Sequence, residues 1–317
     1  MRSPSCIIRK IILTQRRRDA ETQSKAIQAE WYADMSSWFF VLPRLCVLAL
    51  ICCGSLSAQK LAIITPEQTE QTQRFASRLA DSLSNKFNVL DGGMSQAAFR
   101  SVKLENPFNL TAEQGKAVGD VVGCDYFLLV RSGTLRRSSF AKAEFYQSFV
   151  TVFLVSGRSG RLVYWDLKSF EADSPAESER LFLASSENLS GEIIARLETL
   201  RKSVSPVVNN TGIEEVPEAD SSEAKNLHPP MPYKRIKPEY TRQAYFYSIR
   251  ATVDAVVDID QNGMVTNIAI ERWAGFGLDE SVIEAVNKMN WRPADRNGKT
   301  LPMRVLLRYN FTKIEKE

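Results

Sequence analysis

The chain has 317 residues, of which 44% are hydrophobic and 25% are charged, and its formal net charge is +4. A chain of this length holds about two ordinary domains. The excess positive charge lies in the first 58 residues, and from residue 59 onward the numbers of basic and acidic residues are equal. Because a nucleic-acid partner requires a basic patch, this balance argues against one.

Residues 38–58 have the pattern of an export signal. An apolar core from Leu45 to Gly54 follows Arg44, and small residues up to Ala58 end the segment. This is the shape of a secretory signal, whereas a spanning helix needs about 20 apolar residues. Cleavage and retention as a membrane anchor are both left open by this pattern.

The first 34 residues do not fit the segments predicted after them. Met35 would open a signal of ordinary length, so we predict that residues 35–58 are the signal peptide or anchor. Residues 1–34 are then an over-extended N-terminus or a cytoplasmic tail. Four of the five cysteines lie in or before the signal, so export would leave Cys124 without an internal disulfide partner.

Residues 59–202 predict an α/β domain. Leu61 to Thr65 has the composition of a short buried strand, and Thr65-Pro-Glu-Gln68 predicts a helix that begins there with a capping box. The helix after it has an apolar stripe, formed by Phe75, Leu79, Leu83 and Phe87. Thr111-Ala-Glu-Gln114 predicts a second capped helix, and Gly123 is expected to end it.

The second half of this region predicts a sheet and a closing helix. Tyr126 to Val130 reads as a buried strand, and 144–155 and 161–167 flank a Gly-containing turn that predicts a hairpin. Ile193, Leu197 and Leu200 indicate the closing helix. Strands mixed with helices predict an α/β sandwich. These segments resemble the α/β domains of bacterial envelope proteins such as the N-terminal part of TolB and the curli secretion protein.

Residues 203–237 are predicted to be a linker. The segment is polar and acidic, it has no apolar period, and prolines interrupt it at Pro206, Pro217, Pro229, Pro230 and Pro232. Because this linker separates two regions with their own apolar patterns, we expect the α/β domain to fold without the C-terminal one.

The C-terminal region begins with a predicted hairpin. From Ile249 to Ile259 apolar and polar residues alternate, which is typical of a strand with one buried face. Asn262-Gly263 then predicts a two-residue type I′ turn, in which both residues have positive φ. That turn would place Val257 opposite Ile268, and it would leave Asp254 facing Glu271, a pair of like charges.

A helix and a third strand complete this region. Leu278, Val282, Ile283, Val286 and Met289 recur at helical spacing, and residues 303–311 alternate again. Antiparallel pairing with the first strand can set Asp258 against Arg304 and Asp254 against Arg308, which favours the order second, first, third. The third strand is then predicted to be an open edge.

These residues resemble the C-terminal domain of the TonB family of periplasmic energy transducers. The resemblance rests on four runs in the family's order: Pro238-Glu-Tyr240, the strand to Asp260-Gln-Asn-Gly263, Leu278-Asp-Glu-Ser-Val282 and Trp291-Arg-Pro-Ala-Asp-Arg-Asn-Gly298. It covers 238–317, about a quarter of the chain. The family's Tyr-Pro pair is Tyr240-Thr241 here, and a glycine entering the first strand is Ala251. The expected fold class is α+β: the α/β sandwich, followed by a three-stranded antiparallel sheet of order 2-1-3 with helices on one face.

The resemblance implies a binding function, with no cofactor. The domain would pair by β-strand addition with the Ton box, an N-terminal peptide of a TonB-dependent outer-membrane receptor. The predicted partner-strand edge is Arg304, Val305, Leu306, Leu307, Arg308 and Tyr309. The implied location is the periplasm of a Gram-negative-type bacterium, with residues 38–58 as a possible inner-membrane anchor, and the implied second partner is an inner-membrane ExbB/ExbD-type motor. A homodimer and a periplasmic adaptor without the motor link are left open.

The sequence offers little for catalysis or metal binding. His228, the single histidine, lies in the predicted linker, which makes a Ser-His-Asp triad improbable and a hydrolase the least favoured alternative. Asp258 to Gly263 imitates the start of a calcium loop, but position twelve would be Ala269 where a glutamate is required. We therefore interpret it as the hairpin turn. Trp291 is predicted to fill the core below the helix, and the setting of Tyr245-Phe246-Tyr247 is undecided.

Overall fold

The structure is a computed structural model, and it describes residues 59–202, 213–217, 221 and 224–313. The predicted signal or anchor lies outside the described residues, as do 203–212 of the predicted linker. None of the described helices is both long enough and apolar enough to cross a membrane.

A mixed sheet forms the centre of residues 59–202. Its strands are β1 (Lys60–Ile64), β2 (Asn88–Val89), β3 (Tyr126–Arg137), β4 (Phe145–Ser156) and β5 (Leu162–Ala172). The strand order is β2-β1-β3-β4-β5, with β1 parallel to β2 and β3 and the remaining pairs antiparallel. The helices are α1 (Glu70–Ser84), α2 (Gly92–Ser101), α3 (Ala112–Val122), α4 (Pro175–Ala184) and α5 (Ser186–Lys202).

The two faces of this sheet are covered by different elements. Leu61 and Ile63 pack with Phe75 of α1 and with residues of α4 and α5, whereas Ala62 and Ile64 belong to a core on the opposite face. This alternation follows from the period of two in a strand. The predicted α/β class and the hairpin formed by β4 and β5 are confirmed.

One predicted helix start is wrong and the other is confirmed. The first helix begins at Glu70, because Thr69 accepts the N–H of Thr72 and caps it. Thr65 lies in a loop, where its N–H donates to Gln96 Oε1 at 3.0 Å. At Thr111 both hydrogen bonds of the capping box are present.

The predicted linker contributes short strands. They are β6 (Glu214–Glu215), β7 (Leu227–His228) and β8 (Met231–Pro232). Each pairs with a strand of the C-terminal region. Parts of this segment therefore lie against the C-terminal region, which its polar composition did not predict.

The C-terminal sheet has the predicted order of its three long strands. The elements of this region are α6 (Arg242–Phe246), β9 (Ala251–Ile259), β10 (Val265–Arg272), α7 (Leu278–Asn287), β11 (Trp291–Arg292), β12 (Ala294–Arg296), β13 (Lys299–Leu301) and β14 (Met303–Phe311). The long strands are ordered β10-β9-β14, and β6 adds a fourth strand next to β14 within the described residues. The prediction of an unpaired third strand is thus wrong for its first two residues, Met303 and Arg304.

The hairpin keeps its predicted register in the middle but not at its ends. Ile268 lies opposite Val257, as expected. Gly263 has φ of 80° whereas Asn262 has no positive φ, so the turn is not type I′. A register shift between Ile270 and Arg272 omits Glu271 from the register and sets Arg272 opposite Asp254. The predicted like-charge pair is thereby replaced by an ion pair at 3.1 Å.

Both regions contribute to one hydrophobic core, a contact that the sequence did not predict. The ring of Phe153 on β4 lies 5.5 Å from that of Trp273 and 6.0 Å from that of Phe276. Asn109 donates to the carbonyls of Thr252 and Trp273 and accepts the N–H of Thr252. The chain from residue 58 onward is one compact unit, and the proposed boundaries at 202 and 238 stay predictions.

Candidate partner-strand edge

The predicted edge residues lie on β14 and divide between its two faces. Val305 is buried on the core face, followed by the half-buried Leu307 and Tyr309. Leu306 is 58% exposed on the opposite face, between Arg304 and Arg308. The six residues therefore form a strand with one packed face and one open face, as the alternation predicted.

The direction of the backbone groups follows from one hydrogen bond. The carbonyl of Arg304 accepts the N–H of Val216 at 3.2 Å, on the side of β14 away from β9. Successive residues of a strand direct their N–H and C=O groups to alternate sides. Leu306 and Arg308 therefore direct theirs outward as well, whereas Val305 and Leu307 direct theirs to β9.

Two arginine–aspartate pairs fix the open face of β14 to β9. Arg304 donates from Nε to Asp258 Oδ1 at 2.6 Å and from Nη2 to Oδ2 at 2.9 Å. Arg308 donates to Asp254 in the same bidentate geometry, from Nε to Oδ1 at 2.7 Å and from Nη2 to Oδ2 at 2.9 Å. Such bidentate pairs are geometrically specific. Because both register positions match the predicted pairs, the charge argument from the sequence is confirmed.

These contacts determine the ionisation of the two carboxyl groups. For Asp258, the hydrogen bond from Arg304 lowers the pKa and outweighs the opposing effect of burial. Burial acts to raise the pKa of Asp254, but the hydrogen bonds from Arg308 and Arg272 lower it overall. Both side chains are therefore charged at neutral pH, although they are nearly inaccessible to solvent.

A groove of about 530 Å³ runs beside this edge. One wall is β14, and the other is formed by Pro230 to Pro232 and Arg235. Trp291 also lines the groove, and its buried indole Nε1 has no hydrogen-bond partner in the described residues. Met231 is 55% exposed. The groove thus combines an apolar surface with a row of outward backbone groups, which is what an added strand needs.

The other candidate chemistry of the chain does not form a site in the described residues. No three His, Cys, Asp or Glu side chains are grouped so that they could hold a metal ion in this part of the chain. Asp260 accepts the N–H groups of Asn262 and Met264 and serves the hairpin turn. Burial raises the pKa of the Cys124 thiol to about 12, so this thiol is not a nucleophile at neutral pH.

Sequence reasoning missed the second wall of the groove and the pairing of β6. Both belong to residues assigned to the linker. The available signal was slight: the apolar Ile213 and Val216 on either side of Glu214 and Glu215. A two-residue strand is too short to give a periodic pattern that could be distinguished from a polar loop.

Comparisons with known proteins concern mainly the last part of the chain. Residues 236–312 match the family described as the Gram-negative bacterial TonB protein C-terminal. A protein named Protein TonB from Xanthomonas campestris pv. campestris is 29% identical over 89 residues. This match covers 28% of the chain and 36% of the relative. The chain thus matches about a third of the length of that relative.

The chain is also similar to solved structures, including the following two. The TonB C-terminal domain of Pseudomonas aeruginosa is 21% identical, with 33% of this chain and 98% of that chain covered and a TM-score of 0.25. Lipoprotein GNA1162 of Neisseria meningitidis is 13% identical, with 42% of this chain and 99% of that chain covered and a TM-score of 0.30. The family match identifies the last part of this chain as a TonB C-terminal domain.

Proposed function

We propose that this chain is a TonB-like periplasmic energy transducer. Its C-terminal domain would bind the N-terminal Ton box peptide of an outer-membrane receptor by β-strand addition. The observation that carries the proposal is the outward backbone row at Leu306 and Arg308 beside the groove, on a domain that matches the TonB C-terminal family.

The edge can supply both affinity and selectivity. A peptide strand along β14 would form main-chain hydrogen bonds with the outward groups, and its alternate side chains would enter the groove. Met231, Trp291 and Leu307 give the groove apolar surface, whereas Arg235 gives it positive charge, since Arg304 is already paired with Asp258. We therefore expect a peptide with apolar or β-branched residues at alternate positions and at least one acidic residue.

The transducing role requires a link to the inner membrane. In this proposal residues 35–58 stay attached as the anchor and contact an ExbB/ExbD-type motor, and the C-terminal domain transmits the resulting force to the receptor. The work is mechanical, so no catalytic group or cofactor is required.

A periplasmic adaptor without the motor link is the second candidate. The packing of 213–217 and 224–237 against the C-terminal region favours it. Only ten residues, 203–212, then join α5 to the segment that bears β6. Ten residues span at most about 36 Å, so this connection gives a transducer little reach. This candidate is also favoured by residues 38–58, whose apolar core is short and which contain no histidine.

Two measurements test the proposal. Titration with a fluorescent N-terminal peptide of a TonB-dependent receptor from the same organism should show saturable binding, and the same peptide with its sequence scrambled should not bind. Absence of binding to the full-length protein would count against strand addition. Fractionation then separates the candidates: a transducer is recovered with the inner membrane, whereas a soluble periplasmic form that begins near residue 58 supports the adaptor.

A further inference from the structure

A short segment of the same chain pairs with the start of the partner-strand edge. Residues 213–217, here called the strap, run parallel to β14, with Glu214 opposite Met303 and Glu215 opposite Arg304. The N–H of Val216 donates to the carbonyl of Arg304 at 3.2 Å. The strap therefore forms with β14 the kind of hydrogen bond that an added peptide strand would form.

Two ion pairs hold the strap in addition to its backbone. Glu214 Oε2 lies 2.8 Å from Arg296 Nη2, and Glu215 Oε1 lies 3.9 Å from Arg304 Nη1. Both glutamates are exposed. Exposed ion pairs contribute little to stability, so the strap is held by contacts that a competing strand can replace.

The strap and an added peptide require the same groups. Arg304, Leu306 and Arg308 are the outward residues among the six of the predicted edge, and the strap already uses the carbonyl of Arg304. Val216 also lines the groove. A peptide that pairs along the whole edge must therefore displace the strap.

We propose that the strap is an internal competitor that regulates access to the edge, an inference that rests on the proposed strand addition. The apparent affinity of a ligand falls in proportion to the fraction of molecules that can bind it. A strap that occupies the edge in nine of ten molecules thus weakens peptide binding about tenfold. Because the strap is tethered to its site, it can act at a high effective concentration despite its short pairing.

A pair of substitutions at Val216 separates the strap backbone from its side chain. Val216→Pro removes the N–H that donates to Arg304, whereas Val216→Ala keeps it. The side chain of Val216 is 41% exposed, so we expect both full-length variants to melt like the wild type.

The probe is a fluorescein-labelled peptide with the sequence of residues 211–218, and its binding to each full-length protein is measured by fluorescence anisotropy. We expect Val216→Pro to bind the probe about 3- to 10-fold more tightly than Val216→Ala, which also changes the side chain in the groove but keeps the N–H. Equal affinities, or no binding to any of the three proteins, would overturn the strap as a competitor.

The receptor peptide is titrated against the same proteins, so that failure of the strap and failure of the proposed function can be distinguished. Binding of this peptide to all three with equal affinity refutes the strap and leaves strand addition intact. Absence of binding even to Val216→Pro refutes strand addition itself.

Charge reversal provides an independent comparison. Glu214→Arg with Glu215→Arg places like charges opposite Arg296 and Arg304, and should increase receptor-peptide affinity as Val216→Pro does. The control, Glu198→Arg with Glu239→Arg, changes the net charge equally at exposed positions away from the edge. An equal effect of the two pairs would show that net charge, and not the strap, determines binding, and would count against the proposal.

Discussion

Proline substitution at two neighbouring residues of β14 should separate peptide binding from folding. The N–H of Leu306 faces outward and has no partner in the described residues, whereas the N–H of Leu307 faces β9, where Leu307 lies opposite Ala255. Proline removes the N–H in both cases. Leu306→Pro should therefore impair peptide binding, and Leu307→Pro should impair folding.

The expected magnitudes follow from what each proline removes. Leu307→Pro leaves a carbonyl of β9 without its donor, at about 1–3 kcal/mol, and also loses part of a half-buried leucine side chain, which brings the total to about 2–5 kcal/mol. For a unit of this size, that is a fall in Tm of roughly 5–15 °C. Leu306→Pro affects an exposed side chain at a sheet edge, where proline is tolerated, and should lower Tm by less than about 4 °C.

Thermal melts and titration with the receptor peptide test both expectations. Leu306→Pro should bind the peptide about tenfold or more weakly, because one main-chain hydrogen bond is lost and the proline ring occupies its place. Leu306→Ala and Leu307→Ala serve as controls, since they shorten the same side chains and keep the N–H groups. If both prolines melt like the wild type, or if Leu306→Pro binds normally, the assigned backbone directions are wrong.

Two further predictions concern stability. Because the hydrogen bond from Arg304 lowers the pKa of Asp258, this carboxylate stabilises the fold above its unfolded pKa of about 3.9, and the contribution is lost as the pH falls through the lower folded value. Asp258→Asn should therefore lower the urea midpoint at pH 6, and this loss should shrink as the pH falls below about 3.9. Gly275 and Gly298 both have positive φ, but a Cβ at Gly275 would lie 2.7 Å from Phe153, whereas one at Gly298 meets nothing within 4 Å. Gly275→Ala should thus destabilise the protein by about 1–3 kcal/mol more than Gly298→Ala in urea denaturation; equal losses would contradict the close packing of Phe153.

The parts of the fold that could be predicted are those with a local or periodic signal. The capping box at Thr111 needs only four consecutive residues. The register of β9 and β14 followed from alternating apolar residues together with two pairs of opposite charge, Asp258 with Arg304 and Asp254 with Arg308. Because a shift of one residue reverses every face of a strand, these few positions were sufficient to place the edge.

The parts that could not be predicted depend on single contacts between distant residues. Asn109 binds Thr252 across 143 positions of the chain, and no spacing rule connects the two residues. The helix start at Thr69 was missed because Thr65-Pro66 has the local signature of a helix start. In the structure Thr65 lies in a loop, and its N–H donates to Gln96. The pairing of β6 depends on two residues in a polar segment. The place of β14 beside β9 was therefore predictable, whereas the second wall of the groove and the pairing of β6 were not.

The core shared by the two regions limits how this protein can be recombined with its relatives. The rings of Phe153 and Trp273 contact each other, and Asn109 satisfies backbone groups of Thr252 in β9 and of Trp273 after β10. A C-terminal domain without these complementary groups would leave apolar surface and unpaired polar atoms on the region of residues 59–202. Functional chimeras should therefore require that both sides of the contact be exchanged together, and the two regions are expected to diverge in evolution as one unit.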